Sequence, residues 1–365
     1  MSEIPTTMRA ALLLGTGGPE MIEVRDDVPV PTPAAGEALL RVGACGMNNT
    51  DINTRTGWYS RTVTSATSSE GYDEVQAEDA TWGRSSLSFP RIQGADPSGT
   101  VVAVGDGVDA SMVGQRALVD PWLRDADHPE DRSLAGYLGS EADGGFAEYC
   151  CVPAVNAHTH SSTIPDAVLA GLPCSWSTAE HMLQRVRLAE GQTVAVPGAS
   201  GGVGSALVSL AKLRGARVVA VCGESKMDRV AELGADVVLS RSVDDVPGAV
   251  EDAVGPVDVV ADVVGGDDFE GWLEAMRRGG RYVTAGAIAG PMVPLDLRTL
   301  YLNDLELYGA TVFEPQVFAD LVSYIEAGQI TPIVDATFPL EAIHEAQATF
   351  ESKSHVGALV IDLTI

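Results

Sequence analysis

The sequence predicts a two-domain α/β protein in which a β-rich domain is joined to a domain with a parallel sheet. Three observations support this prediction. The chain has 365 residues, which is more than one ordinary hydrophobic core accommodates. Short β-type segments separated by Gly, Pro and Asp turns fill residues 8–160. From residue 165 onward, short apolar runs alternate with segments of helical period, as in βα units.

The individual elements follow from these two patterns. In the β-rich part, we predict strands at residues 9–14, 37–42, 99–104 and 147–152. In the second part, we predict strands at 193–196, 217–222, 237–239, 257–263 and 281–285, with helices over 203–214, 226–233 and 269–276. A strand at 305–310, helices over 316–326 and 341–350 and a strand at 358–363 complete the chain. Residues 1–174 and 313–365 are therefore assigned to one domain, and 175–312 to the other.

Composition excludes several classes of partner. A net charge of −28, from 23 basic and 51 acidic residues, disfavours nucleic acid and anionic membranes as partners. No apolar run approaches the roughly eighteen residues of a transmembrane helix, and a secretion signal is not apparent, so we expect a cytoplasmic protein. Five cysteines without a CxxC pair favour reduced thiols over disulfides. The acidic, lysine-poor composition indicates a protein adapted to concentrated salt, or else the bias of a GC-rich genome.

A glycine-rich turn, GASGGVG at residues 198–204, joins a predicted strand to a predicted helix. A glycine triplet alone is weak evidence, but this strand–turn–helix context is what a dinucleotide fingerprint requires. Gly201 and Gly202 let backbone amides approach a pyrophosphate, and Gly204 permits close helix–strand packing. The helix N-terminus adds free N–H groups and the positive end of its dipole. We therefore predict a dinucleotide site; a purely structural turn is the alternative.

The chain resembles the medium-chain dehydrogenase/reductase superfamily, and most of all its zinc-independent quinone and enone reductases. The matching segments, in the family's order, are CGMNNTDINTRTGWY, GADPSGTVVAVGDGV, GGFAEY, LPCSWSTAEHML, GASGGVG, VDVVADVVGG, GGRYVTAGA and LELYGAT. The resemblance implies an oxidoreductase with a GroES-like, partly barrel-shaped β catalytic domain and a doubly wound Rossmann domain. It also implies a homodimer joined through the Rossmann edge strand near residues 305–310. It does not identify the small-molecule substrate.

The resemblance also places the cofactor contacts. They fall on Thr178, Ala199, Ser200, Gly201, Gly202, Val203, Gly204, Gly286 and Ala287. The acidic residue that would bind the ribose 2′-hydroxyl of NAD is replaced by Gly223. Ser225, Lys226 and Arg241 supply a hydroxyl and two cations suited to a 2′-phosphate, whereas Glu224 argues for NAD. We therefore predict NADP(H) as the cofactor.

Zinc-dependent relatives hold the metal with side chains that this chain has largely lost. Asn48 stands at the position of the first cysteine ligand, and Ala95 at that of the histidine. Asp96 occupies the adjacent glutamate position, and only Cys174 retains a ligand of the family. A catalytic zinc needs about three protein ligands, so we expect no metal site.

Without a Lewis acid, a conjugated acceptor is easier to reduce than a simple ketone. The resemblance suggests Asn48, Thr50, Asp51 and Tyr59 as catalytic residues, with Asn48 and Tyr59 donating hydrogen bonds to the acceptor oxygen. Alternatives remain open: Asp51 and Arg55 as a local ion pair, Tyr59 as pocket wall, and Thr50 as a proton relay. The function predicted is thus an NADPH-dependent quinone or enone reductase; an alcohol dehydrogenase or a cofactor-binding protein with little turnover is the alternative. The polar loops 60–88 and 120–144 either border the pocket or are solvated excursions.

Overall fold

A computed structural model describes residues 3–67 and 87–365, and the chain separates into two compact units. Of the described residues, the first unit contains 3–63, 87–174 and 314–365, and the second contains 64–67 and 175–313. The predicted fold class is confirmed: a β domain of the GroES-like type accompanies a Rossmann-type parallel sheet. Within the described residues, no helix has the length and apolar character needed to span a membrane.

Eighteen strands and ten α-helices occur in the described residues. The strands are β1 (Thr7–Leu13), β2 (Ile22–Pro29), β3 (Glu37–Met47), β4 (Arg91–Ile92), β5 (Asp96–Val104), β6 (Arg116–Val119), β7 (Trp122–Leu123), β8 (Gly136–Tyr137), β9 (Tyr149–Pro153), β10 (Ala157–His160), β11 (Thr193–Pro197), β12 (Arg217–Cys222), β13 (Val237–Ser240), β14 (Val257–Asp262), β15 (Met276–Thr284), β16 (Glu306–Gly309), β17 (Val334–Pro339) and β18 (Ala358–Asp362). The helices are α1 (Asn49–Thr56), α2 (Asp166–Leu169), α3 (Pro173–Arg185), α4 (Gly202–Leu213), α5 (Met227–Ala231), α6 (Val246–Val254), α7 (Phe269–Glu274), α8 (Leu297–Leu302), α9 (Pro315–Glu326) and α10 (Ile343–Glu351).

The first unit is organised around β3, the longest strand of the described chain. β3 lies in a seven-stranded sheet of order β10-β6-β5-β3-β18-β17, in which β9 also pairs with β3. One edge of β3 pairs with β5, while the other pairs first with β9 and then with β18, both antiparallel. Leu39 and Leu40 are both buried, because this central strand is covered on its two faces. The chain leaves β3 directly into α1, which carries the candidate catalytic residues.

The second unit contains one six-stranded sheet of order β13-β12-β11-β14-β15-β16, in which every pairing is parallel. Its central strands β11, β12 and β14 consist largely of buried Val and Ala because helices cover both faces of such a sheet. Strand order reverses beside β11, where the chain runs outward to β12 on one side and to β14 on the other. The carboxyl ends of strands at such a reversal are where ligands bind in open α/β sheets.

Several sequence-based assignments need correction. The predicted helix over 269–276 ends at Glu274, and the following strand begins at Met276, earlier than predicted. The segment 120–144 is not wholly a loop, because it contains the small hairpin of β7 and β8. The strand β17 and the helix α6 were not predicted, and β17 contains no fully buried residue to mark it as a strand. Most of the other polar segment, 60–88, lies outside the described residues.

Candidate functional site

The glycine turn of the second unit has the geometry that its sequence predicts. Gly198 adopts φ +71°, a left-handed conformation that favours glycine. A Cβ on Gly204 would lie 2.1 Å from the carbonyl oxygen of Gly198, so only glycine allows this close contact between turn and helix. Helix α4 begins immediately afterwards, with Gly201 as its N-cap and no capping side chain. The amides of the first helical turn are therefore available to an anionic ligand.

Two cations lie at the carboxyl end of β12. The Lys226 ammonium is 3.4 Å from Ser200 Oγ, which places it beside the glycine turn. The backbone N–H of Arg241 donates to the carbonyl of Cys222 at 2.8 Å. Lys226 and Arg241 both act to lower the pKa of the Cys222 thiol, against a larger upward effect of burial. The structure thus brings together Ser200, Lys226 and Arg241 around Gly223, which has no side chain to fill the space between them.

The loops after β14 and β15 are rigidly held. The Asp262 carboxylate accepts hydrogen bonds from the amides of Val264 at 2.7 Å and Gly265 at 3.1 Å, and from the Tyr282 hydroxyl at 2.6 Å. Burial raises the pKa of Asp262, and these three donors act in the opposite direction. Gly286 and Ala287, two of the predicted cofactor contacts, follow β15 at this end of the sheet. Thr178 is half-buried on α3.

In the first unit, Asp51 braces the start of α1. Its carboxylate accepts the backbone N–H of Asn48 at 2.8 Å and that of Gly94 at 3.2 Å. The Gln93 amide donates to the Asp51 carbonyl at 2.8 Å. Burial raises the pKa of Asp51 to about 7, although both backbone donors act to lower it. The side chain of Asp51 is thereby committed to holding α1 against the segment that leads into β5, whatever part it takes in catalysis.

The expected Asp51–Arg55 ion pair is wrong. Arg55, which is 1% exposed, directs its guanidinium to Gln347 Oε1 at 3.0 Å, to Glu351 at 3.0 Å and to the carbonyl of Gly17 at 2.8 Å. The four-residue spacing suggested a local pair, but the helix places the two side chains toward different partners. Arg55 therefore ties α1 to α10 and to the hairpin of β1 and β2.

The positions at which the resemblance places the zinc ligands of relatives lie together in this unit. Asp96 is 1% exposed and accepts the backbone N–H of Cys174 at 3.0 Å. The Asn48 side chain also acts to lower the pKa of Asp96, although burial leaves the pKa of that carboxyl well above its usual range. Asn48, Asp96 and Cys174 are thus brought together as the sequence indicated.

These side chains do not fit a zinc ion. Ala95 contributes no ligand atom, and Asn48 presents a neutral amide, which is a poor ligand for zinc. Over residues 3–67 and 87–365, no group of three or more His, Cys, Asp or Glu side chains forms a possible metal site. A catalytic zinc needs about three such ligands and an open position.

Two tyrosines accompany this polar cluster. Tyr59 is half-buried, and its hydroxyl hydrogen-bonds with the side chain of Asn53. Burial raises the pKa of Tyr59, and the proximity of Cys174 and Asp51 raises it further. Tyr137 is buried and hydrogen-bonds with the Cys174 thiol. Tyr137 was not predicted as a site residue. The aromatic residues Trp122 and Tyr137 in the polar segment 120–144 could have indicated the hairpin that carries it.

The Thr50 hydroxyl is the remaining candidate. Thr50 is the second residue of α1, and its Oγ1 is buried without a hydrogen-bond partner among the described residues. A buried hydroxyl in this state costs about 1–3 kcal/mol unless a ligand or water satisfies it. The position is therefore suited to a ligand contact.

Comparison with known proteins agrees with the fold. Residues 34–165 match the family model for the alcohol dehydrogenase GroES-like domain, and 202–327 match that for zinc-binding dehydrogenase. The structure of a candidate alcohol dehydrogenase from Sinorhizobium meliloti 1021 is 47% identical, covers 99% of this chain and 98% of its own, and superposes with a TM-score of 0.90. A quinone oxidoreductase of Rattus norvegicus is 25% identical over 97% of both chains. An NAD-dependent alcohol dehydrogenase of Sulfolobus acidocaldarius is also 25% identical, over 98% of this chain and all of its own.

Proposed function

The chain belongs to the medium-chain dehydrogenase/reductase superfamily and is an oxidoreductase, and from this premise we propose that it transfers hydride from NADPH to a quinone or an α,β-unsaturated carbonyl without a catalytic zinc ion. One observation carries the proposal. At the position where the family resemblance places the first zinc ligand, Asn48 presents a buried amide beside the buried carboxyl of Asp96. A fixed amide donor stabilises a developing oxyanion, but it does not replace a metal that must activate a plain alcohol.

A bound nicotinamide cofactor would supply the hydride, and side chains of the first unit would stabilise the negative charge that develops on the acceptor. Hydride addition to a conjugated carbon moves charge to the acceptor oxygen several atoms away. The Asn48 side chain carries two amide hydrogens, and in this proposal one of them is donated to that oxygen when the acceptor binds. The Tyr59 hydroxyl is a second donor, and its raised pKa keeps it protonated at neutral pH.

The residues of the second unit lead us to propose NADPH, and not NADH, as the cofactor. The pyrophosphate would lie on the amides that begin α4, at Gly201–Gly204. The 2′-phosphate would lie between Lys226, Arg241 and the hydroxyls of Ser200 and Ser225, where Gly223 leaves room for it. Two cations close to the 2′-phosphate would strengthen its binding, because the attraction between opposite charges is larger in a site of reduced dielectric.

We also propose that two copies associate through β16, the edge strand of the six-stranded sheet. Unpaired N–H and C=O groups of an edge strand can pair with a second copy about a two-fold axis. Large apolar side chains are exposed in and before this strand: Met292, Leu297, Tyr301, Leu302 and Leu307. Exposed apolar residues in one segment are typical of an interface.

The experiment that tests the proposal is a panel of quinones, enones, enals and enoyl thioesters, with NADPH oxidation followed spectrophotometrically. We expect turnover with at least one conjugated acceptor and none with the saturated alcohols or ketones of matched size. Tight NADPH binding with no turnover on any acceptor would instead identify a cofactor-binding protein.

An alcohol dehydrogenase is the second candidate function. It is favoured by the Thr50 hydroxyl, which is buried without a partner at the position of the relay hydroxyl in relatives. Oxidation of small alcohols, abolished by Thr50→Val but retained in Thr54→Val on the same helix, would establish this alternative. Thr54 is also buried but lies one helical turn further along α1.

A further inference from the structure

Helix α1 begins at the amide on which the proposed function depends, because Asn48 is its N-cap residue. The helix has eight residues and extends about 12 Å, so a few contacts determine its orientation. Asp51 provides one of them, since its carboxylate accepts the backbone N–H groups of Asn48 at 2.8 Å and Gly94 at 3.2 Å. A short helix that is held at one point can still rotate about that point.

Arg55 provides a second attachment, one helical turn beyond Asp51. Its guanidinium donates to Gln347 Oε1 at 3.0 Å, to Glu351 Oε1 at 3.0 Å and to the carbonyl of Gly17 at 2.8 Å. The backbone N–H of Gly17 donates in return to the Arg55 carbonyl at 2.8 Å. These four hydrogen bonds join the end of α1 to α10 and to the segment between β1 and β2.

The contact between Arg55 and Gln347 is buried and one-sided. Gln347 is fully buried, and its Nε2 has no hydrogen-bond partner among the described residues. Buried donors in this state cost about 1–3 kcal/mol. A methionine at position 347 would remove that cost but leave the Arg55 Nε–H unpaired, so the two arrangements differ little in stability. They differ in geometry, because only the amide fixes the plane of the guanidinium.

The second attachment affects Asn48 through the length of the helix. Asn48 lies three residues before Asp51, or about 4.5 Å along the axis. Rotation of α1 by about 12° around Asp51 would therefore move Asn48 by roughly 1 Å. A misplacement of about 1 Å in a group that acts on the reacting atoms can lower the rate about 100-fold.

We propose that Arg55 is a positioning residue, which fixes α1 so that the Asn48 amide points at the acceptor oxygen. This inference rests on the proposed function, in which Asn48 donates to that oxygen. Arg55 itself touches neither the acceptor nor the cofactor. Lys353 Nζ also reaches α1, where it donates to Asn49 Oδ1 at 2.8 Å, but a flexible lysine stem restrains rotation less than a buried guanidinium fork.

The first test compares Arg55→Lys with Arg9→Lys. Arg55→Lys keeps the charge but replaces the planar fork by one flexible ammonium. We expect kcat for the best acceptor to fall by about 10- to 100-fold, with both KM values within about twofold of wild type. Arg9 is a matched control because it also has three acceptors in the first unit, none of them on α1: Glu148, Glu341 and the carbonyl of Leu363. Its kcat should stay near the wild-type value.

Gln347→Met tests the same attachment without a large change in stability. It removes the acceptor of the Arg55 Nε–H together with the unsatisfied Nε2 donors. The melting temperature should therefore change little, while kcat falls by about 3- to 10-fold. A purely structural role for Arg55 predicts instead that kcat, measured well below the unfolding temperature, stays at the wild-type value.

A double-mutant cycle with Asn48→Ala tests whether Arg55 acts through Asn48. In the Asn48→Ala background, Arg55→Lys should lower kcat by less than about threefold, because the group that it positions is already gone. Equal effects of Arg55→Lys in both backgrounds would overturn the inference, and so would wild-type kcat in Arg55→Lys.

These outcomes are distinct from failure of the proposed function. If wild-type protein reduces a conjugated acceptor, the proposed function stands whatever the Arg55 variants show. If wild-type protein reduces no quinone or conjugated carbonyl, the proposed function is overturned and the inference with it. A kinetic loss in Arg55→Lys that largely disappears in the Asn48→Ala background would support the inference.

Discussion

Replacing Asn48 by alanine removes the one donor that stands where relatives have a zinc ligand. If the Asn48 amide stabilises the acceptor oxygen, the loss falls on the transition state and not on cofactor binding. Losing one such donor typically lowers turnover by about 10²–10³, or roughly 2.7–4 kcal/mol of transition-state stabilisation. NADPH affinity should stay near the wild-type value, because Lys226 and the glycine turn belong to the second unit.

The same substitution has a separate effect on stability. It leaves the Asp96 carboxyl, which is 1% exposed, with the Cys174 amide as a remaining partner. An unsatisfied buried acceptor costs about 1–3 kcal/mol, so the melting temperature should also fall. Asp96→Asn retains a polar side chain at this site but changes its hydrogen-bonding pattern. Its turnover should therefore decline because Asn48 is no longer held in one orientation.

Steady-state NADPH oxidation with the best acceptor, at a temperature well below the unfolding of every variant, separates the two effects. Asn49→Ala is the matched control, since it removes the same side chain one residue later, where the amide oxygen accepts from Lys353 Nζ at 2.8 Å. We expect a small kinetic change in this control. Full activity in Asn48→Ala would refute oxyanion stabilisation from α1 and would require the donor to be a cofactor hydroxyl or a bound water.

The remaining predictions concern cofactor, metal, salt and acid. NADPH should bind at least about tenfold more tightly than NADH, roughly 1.4 kcal/mol, and Lys226→Ala with Arg241→Ala should abolish this preference in calorimetric titrations; a wild-type preference for NADH would identify Glu224 as the selector. Protein purified without added metal should contain well under one zinc per chain, with chelator leaving turnover intact; stoichiometric zinc would contradict the mechanism. The net charge of −28 makes the folded chain repel itself, and salt screens this repulsion over a Debye length of about 10 Å at 0.1 M. The melting temperature should therefore rise steeply with KCl concentration. An unchanged melting temperature would indicate that the acidic composition reflects genome bias and not adaptation to salt. Burial lowers the pKa of His160 below its ordinary value of 6.5, so neutral His160 stabilises the folded state above pH 6.5, and this stabilisation is lost as the pH falls through the lower pKa of the folded state. His160→Gln should therefore weaken the pH dependence of the free energy of unfolding between about pH 5 and 7. An unchanged pH dependence would contradict this prediction.

Elements that follow from local pattern could be predicted from the sequence. The strand at 217–222 has the predicted limits, and α4 begins within one residue of its predicted start. Both are strongly patterned: one is a continuous apolar run, and the other follows a glycine turn. The grouping of Asn48, Asp96 and Cys174 came from resemblance, because three distant positions have no local signal that places them together.

Contacts made by long side chains could not be predicted. Arg55 was expected to pair with Asp51, four residues away, but its partners Gln347 and Glu351 lie almost three hundred residues further along. Sequence spacing limits contacts within a helix and carries no information about a distant helix that packs against it. Tyr137 was missed for a similar reason: the short β7–β8 hairpin lies in a polar segment whose composition resembles a loop.

The interior position of β18 has a consequence for synthesis on the ribosome. β3 is translated early, but half of one of its edges stays unpaired until β18 is translated, after the whole second unit. The six strands of the second unit lie within residues 193–309, so that sheet can form first. Contacts between distant segments form slowly because a long loop must close. A ribosome that stalls before β18 would therefore release a chain with a finished parallel sheet and an open edge on β3, free to pair with strands of other chains.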